Sequence, residues 1–430
     1  MSAVRENVSV AHATAKRLGA IGGDLRRKAL HRIAELLERE EAAIAAANAR
    51  DLERAEAEDL PAPLLKRLRF DGAKLEQAVT GVRSVADLPD PVGRVLLRRE
   101  LDEGLVLRKE TCPIGVIAMI FESRPDALVQ IASLALKSGN AVVLKGGSEA
   151  RESNRILAGL VARGSEEAGI PAGWIQLLET RDEVTELLKR DDLVDLMIPR
   201  GSNEFVRYIM DHTRIPVLGH ADGVCHVYLD AAAEETIAVD VTVDSKTQYV
   251  AVCNAAETLL VHREAAERLL PVVGEALRDA GVELRGCDGT RAVLPDTIPA
   301  TEEDWAAEYL DMILSIRVVE SLEDAIDHIN RYGSGHTDAI VTDDSDAARR
   351  FTEAVDSASV MWNASTRFAD GFRYGLGAEV GIGTGKIHAR GPVGVEGLLS
   401  YKWIVEGRGH IVSDYGGGRR SFTHRDLPLT

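Results

Sequence analysis

Cys253 lies in residues 249–262, YVAVCNAAETLLVH, where a thiol, an amide and two small residues run into an apolar stretch. Residues 257–262 have the character of a buried strand, and residues 263–281 that of the amphipathic helix after it. The sulfur is therefore expected on an irregular bend beside a core element, where a nucleophile is held rigidly yet can be reached. The competing reading is a structural cysteine, because Cys is among the most buried residue types. A Cys-His hydrolase is the other thiol mechanism, with His220 or His336 as base, but nothing in the linear sequence places either beside Cys253.

Other motifs are weaker. LKGGSE (residues 144–149) follows an apolar run and leads into a helical stretch, so its backbone N–H groups and Lys145 could hold an anionic ribose phosphate; an ordinary strand-to-helix turn reads the same way. No GxGxxG opens a helix directly after the first strand. The glycines of GLGAEVGIGTGK (residues 375–386) do not make a nucleotide-triphosphate loop: no Gly stands five residues before Gly385, and Ile387 replaces the Ser/Thr. The eleven histidines form no HExxH, and Cys225 and His226, adjacent in a strand-like run, point to opposite faces. No metal is expected.

The chain has 430 residues, 45% of them hydrophobic and only 4% aromatic, which implies two or three domains with aliphatic cores. A net charge of −18 argues against nucleic acid or an anionic membrane as partner, so an anionic substrate must meet a locally basic pocket. Four cysteines without a CxxC make no disulfide framework and fit a reducing cytoplasm. Neither a signal-peptide core nor eighteen consecutive apolar residues occurs.

Residues 4–59 and 63–85 are helical in spacing, and residues 89–111 read as extended pieces around a DEG turn. Then strands and helices alternate: IGVIAMIF, DALVQIASLALKSG, AVVLK, a helix to residue 169, WIQLLE, VTELLKR, LVDLMIP, NEFVRYIMDH and IPVLG. That alternation predicts a parallel doubly wound sheet, with ligands beyond the carboxyl ends of its strands. A second α/β block starts near Val227, contains Cys253 and ends in glycine-dense text at 371–397. The tail after Trp403 begins strand-like and ends loop-like.

Long segments now converge on one family. FESRPDALVQIASLALKSGNAVVLKGGSEARESN, IPRGSNEFVR, IPVLGHADGVCHVY, CNAAETLLVH, AIDHINRYGSGHTDAIVT and WNASTRFADGFRYGLGAEVGIGTGKIHARGPVGVEGL occur in that order. They resemble the γ-glutamyl phosphate reductases (glutamate-5-semialdehyde dehydrogenases), a branch of the aldehyde dehydrogenase superfamily. The C-terminal GHIVSDYGGGRRSFTHRDLP looks like the reductase half of pyrroline-5-carboxylate synthase. With no room for a kinase half, a separate glutamate 5-kinase is the expected supplier, in possible transient contact. One departure is Val250, where the family has Pro; a fixed φ is lost but no chemical group.

The resemblance implies an α/β, aldehyde dehydrogenase-like fold: two doubly wound parallel-sheet domains plus a small β oligomerisation arm. Residues 1–93 and 114–226 would bind NADP(H), 227–400 would be catalytic, and 94–113 with 401–430 would form the arm of a homo-oligomer. It implies NADPH-dependent reduction of L-glutamyl 5-phosphate to the semialdehyde through a Cys253 thioester, the second step of proline biosynthesis. Oxyanion donors would be the Cys253 N–H and Asn254 or Ser123, each worth about 3 kcal/mol. Val217 stands where hydrolytic relatives carry a water-activating Glu, which favours phosphate- or CoA-type chemistry unless Asp222 takes that position. A CoA-acylating aldehyde dehydrogenase is the alternative. Lys145, Gly146, Gly147, Ser148, Gly201, Ser202 and Glu308 would bind the cofactor. Ser148 in place of a Glu favours NADP(H), unless Glu149 repels the 2′-phosphate instead. Arg124, Arg200, Lys246, Asn363, Arg367 and Arg390 are the implied substrate-binding residues, with Asp370 a weaker candidate.

Overall fold

The computed structural model describes residues 2–429 except 123 and 221, and the backbone but not the side chains of 62 and 63. Its first sheet is parallel, in the order Ile175–Leu178, Ala141–Lys145, Val116–Phe121, Leu196–Arg200. Val116–Phe121 and Ala141–Lys145 are buried along their whole length, which is why VIAMIF and AVVLK are unbroken apolar runs rather than alternating ones. Helices Ala3–Leu18, Gly23–Arg39, Gly72–Asp87, Pro125–Lys137 and Arg151–Glu167 supply the covering side chains, among them Val8, Leu30, Val82, Leu128 and Leu157. Polar caps set where several helices begin. The Ser2 hydroxyl accepts from the Arg5 N–H, Asp71 accepts from Lys74, and Thr180 with Glu183 forms a reciprocal capping box.

IPVLG does not become a full strand. Val217 makes a single parallel bridge to Met197 at the sheet's edge. Pro216 has no N–H to donate, and the chain then leaves for the second sheet. That sheet is parallel throughout, in the order Ile298–Pro299, Glu283–Gly286, Ile313–Val319, Ala256–His262, Cys225–Leu229, Thr337–Val341, Ser359–Trp362. Helix Arg263–Asp279 buries Ala265, Leu269, Leu270, Val273 and Leu277 against it.

The glycine-dense return packs differently from the expected assignment of 227–400 to one catalytic unit. Ala378, Val380, Val393, Val395 and Leu398 are buried in the first core, not the second. Val380 and Val393 are paired through backbone hydrogen bonds, and Ile382–Gly383 pairs with Gly391–Pro392. So short a ribbon cannot bury both its faces alone, and the first core is what its apolar residues meet. The remaining sheet is antiparallel, in the order Leu399–Glu406, Leu105–Pro113, Val95–Asp102, Arg425–Asp426. Among the described residues no helix is long and apolar enough to cross a membrane.

Asn140 ties this construction together. Its Oδ1 accepts from the Gly115 N–H (2.8 Å), and its Nδ2 donates to the Leu398 carbonyl and the Ser138 hydroxyl, both at 2.8 Å. Asn140→Ala leaves a buried N–H and a buried carbonyl unpaired, at about 1–3 kcal/mol each. We expect a lowered thermal midpoint by circular dichroism, whereas Asn203→Ala near the surface should move it less.

Candidate active site

The first sheet presents Phe121, Lys145, Leu178 and Arg200 at its carboxyl ends. Lys145 is buried, and burial lowers its pKa against the opposing pull of Glu149. After it, a Cβ on Gly146 would collide with the buried Asn154 amide, and one on Gly147 would push aside the Glu149 carboxylate. Together with Ser148, Arg151 and Glu179 these residues line a cleft. The Ser202 hydroxyl caps helix Asn203–His212 by accepting from the Phe205 N–H, which occupies it structurally, while its N–H donates to Glu122. A Cβ on Gly201 would lie 2.9 Å from the Phe205 ring.

Cys253 sits at the opposite pole of the second sheet. Strands Ala256–His262, Cys225–Leu229 and Thr337–Val341 all begin beside it, so the thiol lies at amino ends, not carboxyl ends. The crossover from the first sheet reaches it at Gly223. A Cβ there would lie 2.6 Å from the Cys253 Cβ, and closer still to its backbone, so only glycine permits this approach. Cys225 Sγ donates to the Cys253 carbonyl (3.1 Å). Glu308 accepts from the Gly223 N–H and, at 2.5 Å, from Asn203 Nδ2, which puts the expected nicotinamide-ribose carboxylate beside the thiol.

Burial pushes the Cys253 thiol up to about 12; Glu308 and Glu379 add to the rise, and Arg200 opposes it. The Arg200 guanidinium has no hydrogen-bond partner among the described residues, and burial lowers its pKa. Arg367 is buried, donates to Gln248 (2.9 Å), and senses the charge of Cys253. Arg124 pairs with Asp126 (3.0 Å) and lies close enough to perturb Arg200.

Both candidate histidines converge on the thiol. One ligand atom each of His220, His336 and Cys253 lie within 4.8 Å of one another. Burial lowers the pKa of both imidazoles, most strongly for the wholly enclosed His336. Their motifs were visible in the sequence, but their meeting was not.

Several expected site residues do other work. Lys246 is fully enclosed and donates to Glu257 (2.5 Å), so it cannot meet substrate; burial lowers the lysine and raises the carboxylate. Asn363, at φ 51°, has both ends of its amide bound to the N–H and carbonyl of Thr342, bracing two strands. Arg390 holds Asp356 and the Thr384 carbonyl, which fixes the glycine-rich return. Asn254 Nδ2 donates to the Ala369 carbonyl (2.9 Å), so its amide braces the loop instead of pointing free at an oxyanion. Asp370 receives the N–H groups of Phe372 and Arg373 as a turn. Ser123 lies outside the described residues. Val217 packs on the first core, while Asp222 is engaged by Arg207 and Asn203. The acids closest in effect to the thiol are Glu308 and Glu379; the latter was missed in the sequence.

The aldehyde dehydrogenase family model matches residues 1–286 and 296–404. A γ-glutamyl phosphate reductase of Pelotomaculum thermopropionicum is 60% identical over 410 residues, spanning 95% of this chain and 94% of its own. One from Acetivibrio thermocellus is 59% identical over 411 residues, spanning 96% and 95%. The crystal structure of γ-glutamyl phosphate reductase from Thermotoga maritima superposes with a TM-score of 0.93 at 38% identity, covering 95% of this chain and all of that one.

Gly223→Ala tests the site's assembly. Displacing the nucleophile by about 1 Å costs about 100-fold in rate, so turnover should fall by that order while far-ultraviolet circular dichroism stays native. Unchanged turnover would show that the thiol is positioned by something else.

Proposed function

Because the chain belongs to the aldehyde dehydrogenase family, and within it to the γ-glutamyl phosphate reductases, we propose that it works through a Cys253 thioester with NADPH as reductant. Family membership makes it an oxidoreductase of proline biosynthesis, a glutamate-5-semialdehyde dehydrogenase. The observation that carries the mechanistic reading is Arg200, a guanidinium without a hydrogen-bond partner among the described residues, sensing the charge of Cys253 where the two sheets meet. A desolvated cation there is costly unless an anion completes it, and an acyl phosphate supplies one.

In this reading His220 takes the thiol proton, Cys253 attacks the acyl carbon, and the C–O bond to phosphate breaks. His220 suits the role because its Nδ1–H donates to the Ile382 carbonyl (2.8 Å), leaving Nε2 with its lone pair. Arg200 and Arg367 hold the substrate's anionic groups, and the Cys253 N–H faces the developing oxyanion. Lys145, Gly146 and Gly147 would hold a nicotinamide cofactor and Glu308 its ribose, and the chemistry such a cofactor would supply there is hydride transfer. Val217 offers no base for water, which supports release by reduction over hydrolysis.

NADP(H) is favoured by the cations around the loop: Arg54 donates to the Ser148 and Glu149 carbonyls, Arg151 lines the cleft, and Arg181 perturbs Lys145. Glu149 opposes a 2′-phosphate. Glu149→Gln should therefore raise kcat/KM for NADP+ over NAD+ several-fold; an unchanged ratio would place selectivity elsewhere.

The exposed side chains Tyr401, Trp403 and Val405 lie on the edge strand Leu399–Glu406, supporting a homo-oligomer closed through this arm. We place the enzyme in the cytoplasm, in line with its free cysteines.

The central test is NADP+ reduction with pyrroline-5-carboxylate, with inorganic phosphate, with CoA, and with neither. Strict phosphate dependence is expected, abolished by Cys253→Ala; CoA dependence, or turnover surviving in that variant, would overturn the reading.

A further inference from the structure

Two histidines stand beside Cys253, one more than the thioester chemistry uses. A carbonyl only accepts, so the 2.8 Å contact from His220 Nδ1 to the Ile382 oxygen fixes the proton on Nδ1 and turns Nε2 into a lone-pair donor. His336 is wholly buried, its Nδ1 lies 2.8 Å from the Thr337 hydroxyl, and its Nε2 has no hydrogen-bond partner. Its Nδ1 also lies 3.8 Å from Cys225 Sγ, so both of its contacts are at Nδ1, and a proton held there leaves Nε2 a bare lone pair. The two rings meet edge to face, with centroids 4.8 Å apart. An imidazole whose far nitrogen is fixed by a hydrogen bond while the near one is free is the arrangement that metal-ligating histidines use.

We propose that His220, His336 and Cys253 form a Zn2+ site that reversibly withdraws the nucleophile. One nitrogen from each imidazole and the sulfur make a three-ligand N2S set with a fourth position left for water or an anion. Bonds of about 2.0–2.3 Å put tetrahedral ligand atoms roughly 3.3–3.8 Å apart. From separations within 4.8 Å, closure takes about 1 Å of side-chain rotation. The exchange needs no oxidant: Zn2+ replaces the thiol proton, which leaves to solvent, and a Zn–S bond forms. Glu308 and Glu379 face the thiol and favour an added cation, against Arg200. Inhibition rests on the thioester reading of Cys253, but metal binding does not.

The test uses the whole enzyme, freed of metal by chelator. One equivalent of Co2+ should give a near-ultraviolet thiolate-to-cobalt band that Zn2+ displaces. Zn2+ should also protect the Cys253 peptide from iodoacetamide, read by mass spectrometry, and suppress turnover until EDTA restores it. His220→Gln and His336→Gln should each weaken binding roughly tenfold or more. If a variant misfolds, the alkylation experiment on the unaltered chain still decides. No thiolate band, or alkylation of Cys253 unaffected by Zn2+, overturns the site. Protected thiol with undiminished turnover would overturn the nucleophile assignment and leave the metal site standing.

Discussion

The absence of a side chain at Gly223 governs the rest of the architecture. One sheet carries the glycine-lined cleft at its carboxyl ends and the other carries the thiol at its amino ends, and the chain crosses between them at this residue. Around that crossing, Glu308 takes the Gly223 N–H, Val224 donates to the Ser334 hydroxyl (3.0 Å), and Cys225 donates to the Cys253 carbonyl. Three loops from distant parts of the sequence are thereby held against one another. Each bond is modest alone, but together they place a reactive sulfur beside a carboxylate suited to a ribose.

Charge at the seam is balanced rather than excessive. Glu308 and Glu379 both raise the thiol, and Arg200 lowers it, all within a largely desolvated region. A thiol kept protonated at rest is a poor nucleophile but also a poor target for oxidants. A desolvated guanidinium without a hydrogen-bond partner among the described residues, opposed in charge by Glu379, is in turn a ground state that an anionic substrate would improve. The same groups thus restrain the thiol in the empty site and hold the anion that arrives.

The strands were legible where burial on both faces leaves an unbroken apolar run, as in Ala141–Lys145, and the helices where caps and spacing agree. IPVLG failed because composition cannot reveal that a chain is about to leave its sheet. Residues 376–398 failed because a glycine-rich ribbon carries no periodicity to say which core receives it. Among expected site residues, Cys253 opens the quoted segment CNAAETLLVH, and Glu308, outside the quoted segments, lies beside it in the fold. Lys246 and Asn363 are expected there too yet are spent on Glu257 and Thr342, since a conserved-looking word does not tell whether a side chain faces ligand or scaffold. His220 and His336 stand 116 positions apart by their numbering, and only the order of the parallel strands brings them to one sulfur.

Placing a nucleophile at the amino ends of parallel strands has a physical cost that explains the arginine. Reactive cysteines often sit at a helix N-terminus, where the backbone dipole favours the thiolate. Cys253 instead follows the C-terminal end of helix Glu235–Thr247, whose dipole, if it acts on the sulfur at all, disfavours a negative charge. Lys246, in that helix's last turn, is already neutralised by Glu257 and cannot compensate. Arg367, just beyond strand Ser359–Trp362 of the same sheet, senses the sulfur's charge, and Arg200 does so from the other sheet. Arg200 ends a strand of the other sheet, so its share of that stabilisation depends on the two sheets meeting at Gly223. The charge environment of Cys253 is for that reason tied to the seam, and a loosened seam should weaken the thiolate before it unfolds either core.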